Sequence, residues 1–357
     1  MKESNISSSL LLFIFPQRRS QMVFLAFICK KYLSLHTAIW RDKPAEQRHH
    51  MDKTQRKPIL RKPRWLYTQI EGGEKYGMVE DTIAQNGLHT ICSSGKCPNR
   101  GHCWKHGTAT FMILGDRCTR ACRFCATMTG HPLPPDGTEP IKIARSVKAM
   151  GLKHAVITSV DRDDLPDKGA AHWAETIREV RRLCPNTIIE ILIPDYRGQE
   201  LQTVLDAKPD IVGHNLETVE RLTPSVRSRA TYRNSMAVLQ EIAAAGFIAK
   251  TGIMVGLGEQ PDEVTQLLRE AREAGCRMLT IGQYLQPSSA QLDVVEYVHP
   301  DTFALYKQQA LELGFDHVES GPLVRSSYMA EQSFVSMMVK SNETHSDAPQ
   351  ASANRQA

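Results

Sequence analysis

The chain has 357 residues, 41% of them apolar and 23% charged, a globular composition long enough to bury one large core or two small ones, which excludes a disordered chain. Its formal net charge of +5 hints at a nucleic-acid surface until it is divided: residues 1–70 carry 14 Lys+Arg against 4 Asp+Glu, and residues 71–357 carry 30 against 35. The basic excess belongs to the first seventy residues, and a mildly acidic body argues against nucleic acid as a partner.

Residues 1–56 read as a poorly ordered leader. The apolar windows 10–15 and 22–28 are separated by Pro16, Arg18 and Arg19, and neither reaches the roughly 18–20 apolar residues of a spanning helix, so a soluble protein with no membrane partner is expected. The n-region has only Lys2 beside Glu3, a poor start for a signal peptide. A functional start near Met51 is the preferred reading, and a mitochondrial transit peptide the weaker one; the expected compartment is the cytoplasm. His49, His50 and the leader's basic residues read as a solvated tail. Residues 341–357, rich in Ser, Asn, Ala and Gln, read as a disordered tail.

Between these ends, short β-branched runs alternate with segments of helical period. Strands are expected at 110–114, 154–160, 187–194, 210–216, 248–256 and 278–285, and helices at 141–150, 170–183, 199–207, 234–245, 261–274 and 301–313. Gly151, Gly246, Gly275 and Gly314 each follow a helix, where a left-handed closing residue is needed. Runs as apolar as Ile188-Ile189-Glu190-Ile191-Leu192-Ile193 imply parallel strands covered by helices. Right-handed crossovers then give an α/β fold, an open wound sheet or a partial (β/α)6 TIM-type barrel, with chemistry beyond the carboxyl ends of the strands. The domain reading is an N-terminal extension at 57–108, the barrel at 109–315 and a C-terminal segment at 316–340.

Cysteine usage is the strongest chemical signal. Nine cysteines are an odd count, and six crowd into the 34 residues from Cys92 to Cys125, too local for a disulfide framework and well suited to metal. Cys29, Cys184 and Cys276 stand apart and read as small isolated thiols. Directly after the 110–114 strand comes Cys118-Thr-Arg-Ala-Cys122-Arg-Phe-Cys125. Three thiolates at this spacing can hold three irons of a cubane and leave the fourth iron open. Arg117, Arg120 and Arg123 are expected to make this loop electropositive and to favour thiolates; a structural zinc site, which wants four protein ligands, is the weaker reading.

This loop resembles that of the radical S-adenosylmethionine (SAM) enzymes, with Phe124 at the aromatic position. The resemblance implies that the open iron chelates SAM and that reductive cleavage yields a 5′-deoxyadenosyl radical, which must be made in place and shielded from water. It also assigns a SAM-contacting role to Gly252, Gly256 and Glu259, in Gly252-Ile-Met-Val-Gly256-Leu-Gly258-Glu259. Glu190, a carboxylate in an apolar strand, needs a partner and is a candidate for ribose contact. Asp161, Asp163 and Asp164 look like a magnesium cluster, although loop capping and SAM or substrate contact are the preferred readings.

Upstream lies a second triad, Cys92-Ser-Ser-Gly-Lys-Cys97-Pro-Asn-Arg-Gly-His-Cys103, for which a zinc knuckle completed by His102 or His106 is the alternative. Taken with the radical motif and Arg325-Ser326-Ser327-Tyr328, it resembles the lipoyl synthase family over roughly residues 57–335. Asp161-Arg-Asp-Asp164-Leu-Pro, Ile193-Pro-Asp-Tyr-Arg-Gly198 and His214-Asn-Leu-Glu217-Thr are similar too. The resemblance implies two [4Fe–4S] clusters and SAM as cofactors. Cys118, Cys122 and Cys125 would hold the SAM cluster, and Cys92, Cys97, Cys103 and Ser327, in preference to Ser326, an auxiliary cluster. Arg325 would orient the serine ligand or a carboxylate, or else is a plain surface charge. An alkoxide ligand binds iron more weakly than thiolate, which suits a cluster that is consumed.

The implied reaction is insertion of two sulfurs at C6 and C8 of an octanoyl group on a lysine of a lipoyl carrier domain. Expected partners are octanoylated 2-oxoacid dehydrogenase E2 chains and glycine cleavage H protein, a low-potential electron donor such as flavodoxin or ferredoxin, and an iron–sulfur cluster carrier. The rivals are a radical methylthiotransferase acting on tRNA, against which the chain shows no RNA-binding appendage, and a binding module with two structural zincs.

Overall fold

β-Branched runs become strands and periodic segments become helices in the computed structural model, which describes residues 60–69, 71–328 and 330. By internal contacts the chain divides into Met1–Ile59 and Leu60–Ala357, and everything below concerns the second unit. The expected leader, Cys29, His49, His50 and the 341–357 tail lie outside the described residues.

The strands are β1 (His89–Thr90), β2 (Thr110–Ile113), β3 (Arg117–Cys118), β4 (Met128–Thr129), β5 (His154–Ser159), β6 (Ile188–Leu192), β7 (Ile211–Gly213), β8 (Ile248–Val255), β9 (Met278–Gln283) and β10 (His317–Gly321). One sheet runs in the order β1-β2-β5-β6-β7-β8-β9-β10, while β3 and β4 form a separate two-stranded ribbon. Within the large sheet only β1 is antiparallel to its neighbour. This is the expected partial barrel, with one correction: β10 adds a seventh parallel strand, in register from His317 opposite Met278 to Gly321 opposite Gly282. Its sequence, His-Val-Glu-Ser-Gly, buries only Val318, so it lacks the apolar run that marks the other strands.

The outer layer is α4 (Glu139–Ala149), α5 (Ala170–Leu183), α6 (Gln199–Leu205), α7 (Thr223–Val226), α8 (Tyr232–Ala244), α9 (Pro261–Glu273) and α10 (Pro300–Glu312); α1 (Glu74–Gln85), α2 (Ile91–Ser94) and α3 (Arg100–Lys105) precede them in the N-terminal extension. Local chemistry sets their ends. Glu263 accepts the Gln260 N–H at 2.8 Å, Pro261 opens α9 where no amide is needed, and Gly275 closes it at φ +94°. Among the described residues no helix is long and apolar enough to cross a membrane.

Trp173, Ile143, Ile157, Ile189, Ile191, Val212, Leu239, Ile281 and Phe303 are buried in one continuous core, each such side chain contributing roughly 1.5–3 kcal/mol. The extension has a small core of its own, Val79, Cys92, Trp104 and Ala109. β1 and β10 occupy opposite edges of the sheet, so the barrel stays open. Two long-range hydrogen bonds bridge the gap: Thr110 Oγ1 donates to Ser327 Oγ at 2.7 Å and Asn99 Nδ2 to the Leu323 carbonyl at 2.6 Å.

Candidate active site

Strand β2 organises the site because the two triads leave from its opposite ends. Cys118 follows its carboxyl end. β1 runs antiparallel to β2, with Thr90 opposite Phe111, so α2 and Cys92 emerge towards its amino end, where Thr110 meets Ser327. The four-residue strand spans roughly 10 Å. One cavity of about 530 Å³ is bordered by Cys92 and Cys97 from the first triad, by all of Cys118, Cys122 and Cys125, and by Ser326 and Ser327. All eight described cysteines are free thiols.

The Cys118 loop is heavily anchored. Leu114, left-handed at φ +71°, ends β2 with both backbone groups clamped: its N–H donates to Glu139 Oε2 at 2.8 Å and its carbonyl accepts from Arg162 at 3.2 Å. Glu139 is further held by His172 at 2.7 Å, and Arg162 by Asp164. The Cys118 sulfur receives the amides of Arg120 and Asp161, both at 3.4 Å. Arg120 then ties Asp161 (3.4 Å), Asp163 (2.8 Å) and Asp195 (2.6 Å) together. The loop-capping reading of Asp161, Asp163 and Asp164 fits this arrangement, the first two on Arg120 and the third on Arg162.

Of the three arginines expected to make the loop electropositive, only Arg120 is neutralised by carboxylates among the described residues. Arg123 donates to the Ser225 carbonyl. Burial, seconded by Asp161, pushes the Cys118 thiol up to about 12, and burial raises Cys125 as well. The proton is therefore held until something else in the site, such as iron, replaces it.

The first triad sits on short elements. Thr90 Oγ1 caps α2 by accepting the Ser93 N–H. Burial, then the neighbouring Cys92 and Cys97, push Cys103 up to about 12, and burial raises Cys97. Of the imidazoles named for a zinc knuckle, His102 Nδ1 faces Glu71 at 3.4 Å and His106 Nδ1 the His102 carbonyl at 2.8 Å. Among the described residues no three His, Cys, Asp or Glu side chains converge on a single metal ion. Two free-thiol sets bordering one sizeable cavity fit cubanes better than single ions.

Phe124 borders the cavity and packs against Val226, Leu257 and Tyr284. Gly252 also borders it, and a Cβ there would meet Thr280 Oγ1 at 2.5 Å and Asn215 Oδ1 at 2.9 Å, so the glycine keeps the wall thin. Gly256 and Glu259 do not line it. Glu259 accepts the amides of Gly256 and Leu257, and a side chain at Gly256, φ +99°, would overlap Gln283 and the Glu296 carbonyl; both shape the turn after β8 instead of touching the cavity. Glu190 lines the cavity, but its carboxylate is taken by Lys250 and by His154 at 3.0 Å. Burial alone would raise it; Lys250 and His154 hold it low. That internal pair supplies the partner the sequence demanded and leaves ribose contact without support.

Two residues given no role from sequence belong to the wall. Asn215 donates to Ser326 Oγ at 2.9 Å. Glu217, left-handed at φ +68°, is bridged to Ile253 of β8, and burial raises its carboxyl against the pull of Arg227. A carboxyl in this state suits hydrogen bonding to a polar ligand. The signal was a polar His-Asn-Leu-Glu-Thr run directly after a strand.

A radical SAM superfamily model matches residues 112–271, from β2 into α9. The chain is 55% identical over 275 residues to a lipoyl synthase of Bacteroides fragilis, covering 76% of this chain and 96% of that one. It is 56% identical to that of Parabacteroides distasonis, with 76% and 98% covered, and 54% identical to that of Treponema denticola, with 77% and 96% covered. Identity of this order across almost the whole of these relatives, joined to two cysteine triads on one barrel cavity, places the chain in the lipoyl synthase family of radical SAM enzymes.

Proposed function

We propose that this chain inserts two sulfur atoms, at C6 and C8, into an octanoyl group linked through an amide to a lysine of a lipoyl carrier domain. The carrying observation is that thiols of both triads border the same cavity, within reach of one acyl chain. Cys118, Cys122 and Cys125 would hold the cluster that binds SAM, beside Phe124, Gly252 and Glu217. Cys92, Cys97, Cys103 and Ser327 would hold the auxiliary cluster. When bound, these groups supply hydrogen-atom abstraction at the first and sulfur at the second. The protein's own work is positional: Leu114, Glu139 and Arg162 aim one loop, and Thr110 holds Ser327 at the other end of β2.

The substrates in this reading are octanoylated E2 and glycine cleavage H domains. A flavodoxin or ferredoxin would supply electrons, an iron–sulfur carrier would restore the auxiliary cluster, and the compartment would be the cytoplasm. The zinc-module rival lacks, among the described residues, three His, Cys, Asp or Glu side chains placed to hold one metal ion, and the tRNA rival lacks a basic body.

The test is anaerobic turnover of an octanoyl-lysyl carrier with dithionite and SAM, followed by mass spectrometry. The expected product carries two added sulfurs as a dithiolane. SAM cleavage without any gain of sulfur would refute the assignment.

A further inference from the structure

Residues 60–69 contain Arg61, Lys62 and Arg64 and no carboxylate, although the chain from residue 71 onward is acidic overall. The short 3₁₀ turn Arg64–Leu66 pins this segment by burying Leu66 fully. Arg61, Lys62, Arg64, Trp65 and Tyr67 stay exposed around that anchor. Trp65, 39% exposed, stands edge-on to His299 with ring centres 5.2 Å apart, and Tyr67 is 65% exposed beside Lys62. Lys62 is both exposed and part of the cavity wall, so the segment lies at an opening of the cavity. Lys96 and Arg325 border the same cavity.

Among the described residues none of Arg61, Lys62, Arg64, Lys96 and Arg325 forms an ion pair. Elsewhere on the chain exposed arginines do find carboxylates: Arg221 reaches Glu263 at 2.7 Å and Arg233 reaches Glu220 at 2.5 Å. Among the described residues these cations therefore have no carboxylate partner, and Lys62 and Arg325 repel one another. A positive rim carrying exposed aromatic rings suits a negatively charged protein surface, with charge steering the encounter and the rings supplying contact area.

We propose that residues 61–67, together with Lys96, form the docking surface for an acidic face of the carrier domain around its acylated lysine. This rests on the functional reading above, because a substrate carried on a lysine side chain brings its parent domain against the opening through which it enters. An acidic body would otherwise repel an acidic partner, and this rim is where the repulsion is reversed.

The experiment compares the octanoylated carrier domain with a short neutral octanoyl-lysyl peptide as substrates of the cluster-loaded enzyme. For wild type, KM for the carrier should rise with added salt and KM for the peptide should not. The Arg61→Glu/Arg64→Glu variant should raise the carrier KM by roughly tenfold at low salt and leave peptide turnover unchanged. Trp65→Ala should raise the carrier KM with little change in its salt dependence. Circular dichroism and iron content check folding, and the wild-type salt dependence keeps the test decisive if the double variant does not fold. Carrier KM values insensitive to salt and to Trp65→Ala would overturn the docking surface, with the activity intact. Failure of wild type to convert carrier and peptide alike would instead overturn the functional reading.

Discussion

The two cysteine triads are held in opposite ways. The Cys118 loop is locked by a left-handed Leu114 clamped at both backbone groups, by the β3–β4 ribbon, and by Arg120 on three aspartates. The Cys92–Cys103 triad rests on two helices of four and six residues over a four-residue core, and Ser327, from the far edge of the sheet, borders the same cavity with its hydroxyl accepting from Thr110. A cluster that serves every turnover needs a rigid seat, whereas one that is dismantled needs ligands that can let go. The difference in anchoring matches the division of labour proposed for the two sites.

The sharpest way to break that comparison is to remove one ligand from each triad. Cys122→Ala should abolish SAM cleavage, read as loss of 5′-deoxyadenosine. Cys97→Ala should retain cleavage and end sulfur insertion, read by carrier mass. Loss of both activities to the same extent in two folded variants would erase the distinction.

A smaller effect concerns the barrel side of the cavity. His214 Nδ1 donates to the Ile193 carbonyl at 3.0 Å, so Nε2 is left to accept from Ser235, whose oxygen also takes a hydrogen bond from Arg227. Burial, then Arg227, push His214 down to about 4 from its ordinary 6.5, with Asp195 pulling the other way. Between these values the unfolded chain binds more protons than the folded one. The stability from neutral His214 is complete above about pH 6.5 and drains as pH falls towards 4, by ~3 kcal/mol. Urea unfolding across that range should show a shallower pH dependence for His214→Gln; equal slopes would remove His214 as the cause.

Smaller again is the lock on the Cys118 loop. Arg120→Ala strands Asp161 and Asp195 and leaves Asp163 only Arg229 at 3.1 Å as an ion-pair partner, and should lower stability by about 2 kcal/mol once their partial exposure is allowed for. Iron bound at the Cys118 triad should fall while iron at the Cys92 triad is retained, as Mössbauer spectroscopy would resolve. Equal loss at both triads would mean that the ion-pair cluster supports the whole barrel and not one loop.

Six strands and six helices were legible in the sequence because their burial is periodic, and all four closing glycines take positive φ, from +63° at Gly151 to +94° at Gly275. β10 escaped because its stability comes from pairing with β9, not from an apolar run of its own. Both cysteine triads were legible because each lies within a dozen residues of chain. Gly256 and Glu259 show where spacing stops informing, because a turn that shapes itself and a turn that touches a ligand use the same residues.

Alone, the sequence determined the chemistry available: two local thiol sets, a barrel's worth of strands, and a polar motif near the C-terminus, all encoded by spacing along a short stretch of chain. Only the tertiary structure decided that these act on one cavity. An antiparallel β1 sends the first triad to the far end of β2, and Thr110 meets Ser327 across 217 residues. It also gave Glu190 to Lys250 and Arg120 to three aspartates, because a buried charge takes whichever opposite charge the fold brings nearest, and no reading along the chain reveals which that is.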